Sequence, residues 1–431
     1  MGASEPLAPA DRAGRQFRVP TTDLLPPEWT GVPPPLSLFG LEFSLNTASL
    51  DALEEVVRSV TAERVAGWFA REVGLEAVAV LTTCHRVEFG LLASSEEALD
   101  RWRQLLPGER DRWRVRTGRE AVRHLYRVAA GLESLAVGEV EVRQQVRSAA
   151  TSVLSRHPRP VLRDLYAGAA RSAEEAGPTA GPARSIASIA AARLMALVGT
   201  EEPRVLVIGS GTVGQQLVQS LAPRAHVTIA YHQRPPEEGF LRAMGARAVP
   251  LDQLSAEVAA SDAIVTAAKF GNHGLRAADL PQGRPLLLID LGVPRNIDPG
   301  VRALPNVRLV DLEELHALPG SRDDASVLTR RVDRLADRYA DRVERLLLEP
   351  WVDAIRRTAE EVRRVELARA RDYLGVLDPE QELAIDQLTR RLVARLLLAP
   401  TERLRALPPG PEGDLGRRVA VELLHPLPPD L

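Results

Sequence analysis

The chain has 431 residues, 45% of them apolar and 26% charged, and a formal net charge of −3. Two or three domains with full cores fit that length, and the composition is that of a globular protein in water; so small a charge excludes a global basic field for nucleic acid, though not a local RNA-binding patch. One cysteine excludes an internal disulfide and a cysteine-based zinc site, and it fits a reducing, cytoplasmic location.

The first 35 residues are rich in Pro, Ala, Arg and Gly and are expected to form a disordered tail, because such a composition buries too little apolar surface to order itself. They lack a basic segment followed by an apolar core, so no signal peptide is expected. Nor does any run of about 18 apolar residues suggest a membrane span.

From 36 to 156, strand and helix signals alternate. LSLFGLEFSL is strand-like, and the segment SLDALEEVVRSVTAERVAGWFAREV carries helical spacing at Leu53, Val56, Val57 and Val60. EAVAVLTT and RVEFGLLAS predict two buried strands that flank Cys84. REAVRHLYRVAAGLESLAVG reads as helix, with Gly138 at an end or bend. Residues 157–184, interrupted by Pro and Gly, predict a helical connection.

Between 185 and 318 the pattern is that of a doubly wound parallel sheet. SIASIAAARLMALVG is a small-residue helix, and RVLVIGSGTVGQQLVQSLA gives strand, glycine turn and helix. HVTIAYHQR, DAIVTAAK, PLLLIDLGV and VRLVDLEEL follow as further strands. From 322 to 431 the chain reads as long helices. Leu328, Val332, Leu335, Tyr339, Val343 and Leu346 form an amphipathic stripe, Pro350 predicts a kink or break, and a further helix runs through ELAIDQLTRRLVARLLLAP. A second copy of the chain is the simplest partner for that stripe.

Gly209, Gly211 and Gly214 form GxGxxG between a strand and a helix, the context that turns a weak motif into a dinucleotide site. The first glycine permits the tight turn, the second lets the backbone approach a pyrophosphate, and the third lets helix and strand pack closely. Ser210, Thr212 and Val213 complete the turn. An NAD site carries an acidic residue about 20 positions on, for the ribose 2′-hydroxyl. Here the second strand ends in Tyr231, His232, Gln233 and Arg234, without a carboxylate. Arg234, or a protonated His232, can attract a 2′-phosphate, which favours NADPH; the other reading of Arg234 is a solvated loop residue.

Cys84 stands at a strand end beside His85 and Arg86, two groups that can favour its thiolate. Read from chemistry alone, a nucleophile and a small buried hydrophobe are equally good accounts of it. His124 and Ser134 are ten residues apart and share a face if their helix is continuous. Lys269 is the only lysine, so a Schiff-base mechanism has almost no candidate.

Thr82-Thr83-Cys84-His85-Arg86-Val87-Glu88 resembles the S-T-C-N-R-T-E motif of the glutamyl-tRNA reductase family. HLYRVAAGLESLAVGEVEVRQQV, VLVIGSGTVG, LLLIDLGVPRNIDP and LVARLLLAPTERLRAL also resemble that family, in the family's order. The resemblance implies an α/β multidomain protein in a V: an α+β catalytic domain over 36–156 that binds glutamyl-tRNA, a Rossmann-type NADPH domain over 185–318, and a long spinal helix leading to an elongated, all-helical dimerisation domain over 322–431.

It also implies a reaction in which Cys84 attacks the ester linking glutamate to tRNA, forming a thioester that NADPH reduces to glutamate-1-semialdehyde, the first step of the five-carbon route to tetrapyrroles. His124 is implied as an assisting catalytic histidine. Thr83, His85, Arg86, Ser134, Glu139, Val140, Glu141 and Gln145 are implied substrate-site positions, no metal is expected, and a homodimer and a partnership with glutamate-1-semialdehyde aminomutase are family expectations.

The sequence departs from the family where His85 replaces Asn, where Glu141 replaces Gln, where the N-H-K signature near the first strand is missing, and at Tyr231-His232. A non-catalytic regulatory paralogue is the alternative those departures suggest, and another NADP oxidoreductase, shikimate-dehydrogenase-like, is a third reading. Arg356, Arg357, Arg363 and Arg364 are candidate tRNA contacts, weighed against a solvated face balanced by Asp353, Glu360, Glu361 and Glu366.

Overall fold

The computed structural model describes residues 36–157, 160–177, 185–268, 274–317, 325–374 and 377–407, together with 416 and 419. The N-terminal tail and Lys269 lie outside the described residues.

The first unit is built on an antiparallel sheet. Its elements are β1 (Ser37–Ser44), α1 (Leu50–Ser59), α2 (Ala62–Arg71), β2 (Leu75–Thr82), β3 (Arg86–Ala93), α3 (Glu96–Leu105), β4 (Arg114–Thr117), α4 (Gly118–Ala129), α5 (Val140–Thr151), β5 (Leu154–Ser155) and α6 (Val161–Ala176). The strand order is β4-β1-β3-β2-β5, with every neighbouring pair antiparallel. One face buries Phe39, Phe43, Phe89 and Trp102 under α1 to α3, and the other buries Leu38, Leu81 and Leu92 under α4 to α6.

Several local readings change. The expected helix from 49 to 73 is two helices, because the Thr61 side chain accepts the Arg64 N–H and caps a new one. The expected helix through Gly138 stops at Ala129, and residues 130–139 form a turn with Gly131 and Gly138 at positive φ. A Cβ on Gly131 would lie 2.4 Å from the Glu139 backbone nitrogen, so the turn closes only on glycine. The short strand β4 carried no signal of its own. Within the expected connection, α6 is a buried 16-residue helix of the first core.

The second unit contains α7 (Ile186–Leu197), β6 (Arg204–Ile208), α8 (Thr212–Leu221), β7 (His226–Tyr231), α9 (Glu238–Met244), β8 (Arg247–Pro250), α10 (Leu254–Ala260), β9 (Ala263–Thr266), β10 (Leu286–Asp290), β11 (Val307–Val310) and α11 (Leu312–His316). Its six strands lie in the order β11-β10-β9-β6-β7-β8, all parallel. That is the doubly wound order with its topological switch between β6 and β9. The short β8 is an addition to the expected strands.

Two long helices follow, α12 (Ala325–Leu374) and α13 (Pro379–Ala406). α12 runs unbroken through position 350, against the expected kink, and α13 continues past Pro400. The stripe of α12 is covered by the same chain rather than by a second copy: Leu328, Val332, Ala336, Ala340 and Val343 are buried against α4 and α6. Gly168 of α6 allows that approach, since a Cβ there would lie 2.9 Å from the Tyr339 ring. Arg123 and Arg127 pair with Asp337 and Asp333 along the seam. Arg363 ties α12 to Asp386 and Thr389 of α13 and is buried, so it offers no free contact for RNA.

Candidate active site

Antiparallel pairing of β2 with β3 brings Thr82 opposite Val87 and leaves Thr83, Cys84 and His85 as the connecting turn. Three hydrogen bonds fix it. The Thr83 N–H donates to the Arg86 carbonyl (2.9 Å), the His85 N–H to the Thr83 hydroxyl (3.1 Å), and the Leu45 N–H to the His85 carbonyl (3.1 Å). Thr83, His85 and Arg86 are buried, while Cys84 is half-buried. The Cys84 Sγ lies 2.9 Å from His85 Nδ1.

The turn does not hold a resting thiolate. Burial pushes the Cys84 thiol well above its ordinary range, and the Glu139 and Glu141 carboxylates push the same way against a weaker pull from Arg86. Burial, then Arg86 and His316, depress His85 to about 3, so its imidazole is neutral. The expected lowering of the thiol by His85 and Arg86 is therefore outweighed by desolvation.

Behind the turn is a buried ionic network that sequence reading missed. Glu42 of β1 and Glu88 of β3 are directly opposite in the sheet, an arrangement of like charges that is unfavourable without counter-charges. Arg86 reaches Glu88 at 3.0 Å and Glu42 at 3.7 Å, and Arg116 reaches Glu42 at 2.8 Å. His124 Nε2 lies 2.9 Å from Glu88 and 3.7 Å from Glu42. Burial opposes ionisation of Glu88, but His124 and Arg86 outweigh it and hold the carboxyl at about 2. The signal available in the sequence was a glutamate inside each of two otherwise apolar strands, LEF and VEF. Glu42, Glu88 and His124 also converge closely enough for a cation; two guanidinium groups already balance both carboxylates, so the set does not fit one.

The network also positions the 130–139 turn. Arg86 donates through its second nitrogen to the Glu133 carbonyl, fastening the 130–139 turn to the strand that carries Cys84. Ser134 lies in that turn and not on the helix of His124, which corrects the expected shared face. Among the described residues, the polar partners of His124 are Glu88 and Glu42, and the thiol is not one of them. Glu139 is buried at the start of α5, with one carboxylate oxygen unpartnered. Burial and then Glu141 raise it to about 7. Val140 is exposed; Glu141 and Gln145 follow on α5, both half-buried, and burial raises Glu141 as well.

At the second sheet, Gly209 has φ +120 and Gly214 leaves only 1.8 Å between a built Cβ and the Gly209 carbonyl, whereas nothing lies within 4 Å of a Cβ on Gly211. The turn is thus closed on one side and open on the other, at the N-terminus of α8, where free N–H groups suit a phosphate. The Ser210 hydroxyl donates to the Arg234 carbonyl (3.2 Å), which places exposed Arg234 beside the turn. Thr212 and Val213 begin α8. Asp290 accepts from Thr266 and from the backbone of Gly292, Asn296 and Ile297, which organises the loop after β10.

The two units meet at the thiol. Cys84, Leu45, Leu135, Val213 and Val293 all pack against the apolar cluster of the parallel sheet. Arg295 crosses to Asp51 (2.6 Å) and lies 3.8 Å from Glu54, and His316 contacts Asn46 (3.1 Å). Among the described residues, the turn that carries the thiol therefore packs directly on the second unit.

Comparisons with known proteins agree along the chain. Residues 41–177 match the model of the glutamyl-tRNA(Glu) reductase N-terminal domain, 190–318 that of shikimate/quinate 5-dehydrogenase, and 329–425 that of the glutamyl-tRNA(Glu) reductase dimerisation domain. Glutamyl-tRNA reductase of Rubrobacter xylanophilus is 32% identical over 361 residues, 78% of this chain and 84% of the relative. That of Kineococcus radiotolerans is 32% identical over 422 residues, 91% and 94% of the two chains. A solved glutamyl-tRNA reductase from Methanopyrus kandleri is 26% identical, covers 90% of this chain and 97% of its own, and has a TM-score of 0.45.

Proposed function

The chain belongs to the glutamyl-tRNA reductase family, and from that premise we propose that it reduces glutamyl-tRNA to glutamate-1-semialdehyde with NADPH through a thioester on Cys84. The observation that supports this reading is the packing of Cys84 against the apolar cluster of the parallel sheet, the same cluster that Val213, which follows the glycine turn, packs against. A thioester divides a difficult ester reduction into two easier steps. NADPH supplies the hydride for the second.

The chain's own residues do the rest. Gly209, Gly211 and Gly214 with the α8 N-terminus hold the pyrophosphate, and Arg234 attracts the 2′-phosphate. Glu139 and Glu141 face the thiol electrostatically and offer carboxyl groups to the substrate's α-ammonium, a use in which a carboxylate at 141 is no obstacle. Thr83 and Ser134 supply hydroxyls, Val140 opens α5, and Gln145 lies in its second turn. Arg86 and His124 are positioning residues: through Glu88 and the Glu133 carbonyl they hold the turn in register with Cys84.

Glutamyl-tRNA-dependent NADPH oxidation, with the product trapped, tests the reading. Activity in the parent and none in Cys84→Ser supports it. Binding of both ligands without turnover in either protein overturns it in favour of a non-catalytic relative.

A further inference from the structure

We infer that His85, at a position where the family motif has asparagine, is the proton acceptor for Cys84 and returns that proton to the leaving tRNA. The inference rests on the proposed reaction and adds a catalytic group to it. Its basis is geometry. The Sγ···Nδ1 distance is 2.9 Å, and the imidazole is buried at 4% exposure. The backbone on both sides of the ring is pinned, by the Thr83 hydroxyl through the His85 N–H and by the Leu45 N–H through the His85 carbonyl. No carboxylate supports the ring among the described residues, and its Nε2 is buried without a partner. Asparagine in the same place has no basic nitrogen, so it can orient a thiol but cannot take its proton.

That environment fixes the kind of catalysis. A triad-type carboxylate would stabilise imidazolium and favour a standing thiolate–imidazolium pair. Here the groups around the pair are Arg86 and His316 beside the imidazole and Glu139 and Glu141 around the sulfur. Each disfavours the charge it faces, so the resting pair is thiol and neutral imidazole. The proton moves as the substrate reacts: the Sγ–H bond breaks with the proton passing to Nδ1, and the Sγ–carbon bond forms at the ester carbonyl. The carbon–oxygen bond to the tRNA ribose then breaks, and the ribose oxygen takes its electron pair and the proton from Nδ1. Thiol plus ester becomes thioester plus alcohol, with no other reactant.

Two measurements on the full chain test this. The first is single-turnover release of tRNA from glutamyl-tRNA without NADPH, between pH 6 and 9, for the parent, His85→Asn and His85→Ala. The expected result is a loss of about 100-fold at pH 7 in both variants, in the range of a positioned general base. The deficit shrinks at high pH as hydroxide ionises the thiol directly, and free imidazole partly rescues His85→Ala. A merely structural histidine would give a loss independent of pH and without rescue. Equal rates and equal pH profiles in parent and His85→Asn overturn the inference.

The second measurement is iodoacetamide alkylation of Cys84 over the same pH range, which needs neither tRNA nor nucleotide. The same His85 dependence is expected, with no thiolate absorbance near 240 nm at neutral pH in the parent. If the parent fails to release tRNA but alkylation still depends on His85, the proton-acceptor pair stands and the glutamyl-tRNA reading falls. Alkylation indifferent to His85 overturns the pair itself.

Discussion

Glu88 and Glu139 are two buried glutamates with opposite electrostatics, and pH separates them. Glu88 is held at about 2 by His124 and Arg86 in spite of its burial. A carboxyl lowered from the ordinary 4.5 stabilises the fold above that pH, and the contribution is lost as pH falls towards 2. Glu88→Gln is expected to destabilise the protein at pH 7 by roughly 3 kcal/mol, the scale for removing one partner of a buried pair. The difference from the parent should fade between pH 4.5 and 2, as read by denaturant midpoints.

Glu139 has the other sign. Burial and Glu141 raise it to about 7, so the native state resists its ionisation. The resulting cost is absent below pH 4.5 and complete above pH 7. Glu139→Gln is expected to stabilise by on the order of 3 kcal/mol at pH 8 and to do nothing at pH 4. Because Glu139 also raises the Cys84 thiol, the variant should alkylate faster at neutral pH. A pH-independent change in stability would mean that the carboxylate is not the cause.

Cys84 was visible to sequence reading because thiol, imidazole and guanidinium are chemically conspicuous side by side. The ring of Glu42, Glu88, Arg116 and His124 was not, since it joins β1, β3, β4 and α4, and only strand register brings them together.

Elements show the same division. β6, the glycine turn and α8 were legible because the turn's requirements are local: a positive φ at Gly209 and a missing Cβ at Gly214. Gly214 and Gly211 make a contrast that can be measured. Gly214→Ala forces a methyl against the Gly209 carbonyl, so β6 and α8 must separate; overpacking of this kind costs about 1–3 kcal/mol. Gly211→Ala meets open space at an ordinary φ of −74. It should leave stability within about 0.5 kcal/mol yet weaken NADPH binding at least tenfold, because the methyl occupies the phosphate's approach. Equal effects of the two substitutions on folding would show that the turn is not built as described. The 130–139 turn was not legible, since its residues continue the helical spacing of α4 and only the left-handed backbone of Gly131 and Gly138 ends it.

Across the whole molecule, the apolar stripe of α12 was correctly seen, but its partner was not. Periodicity reports that a face is buried and is silent about what buries it, and α4 and α6 of the same chain do so. The face left uncovered lies further along. Leu388, Leu392 and Leu396 step by fours along α13 and are 57%, 51% and 72% exposed, with Leu383 and Leu398 also open. An apolar row of that length on a two-helix arm marks an interface, and it falls inside the segment matched by the family's dimerisation domain.

Burying a leucine is worth about 2 kcal/mol, and a twofold interface counts each residue twice, so two leucines on this row contribute about 8 kcal/mol to a dimer. Leu392→Asp with Leu396→Asp is therefore expected to give monomer at micromolar concentration by light scattering, with the alkylation rate of Cys84 unchanged. The second half of that expectation follows from the fold. The thiol, its histidine and the glycine turn all belong to the two sheet units, and the seam that fixes α12 to them, Arg123 with Asp337 and Arg127 with Asp333, lies at the opposite end of α12 from α13. A dimer that persists in the double variant would place the interface elsewhere; a monomer with altered thiol chemistry would mean that the arm reaches the site after all.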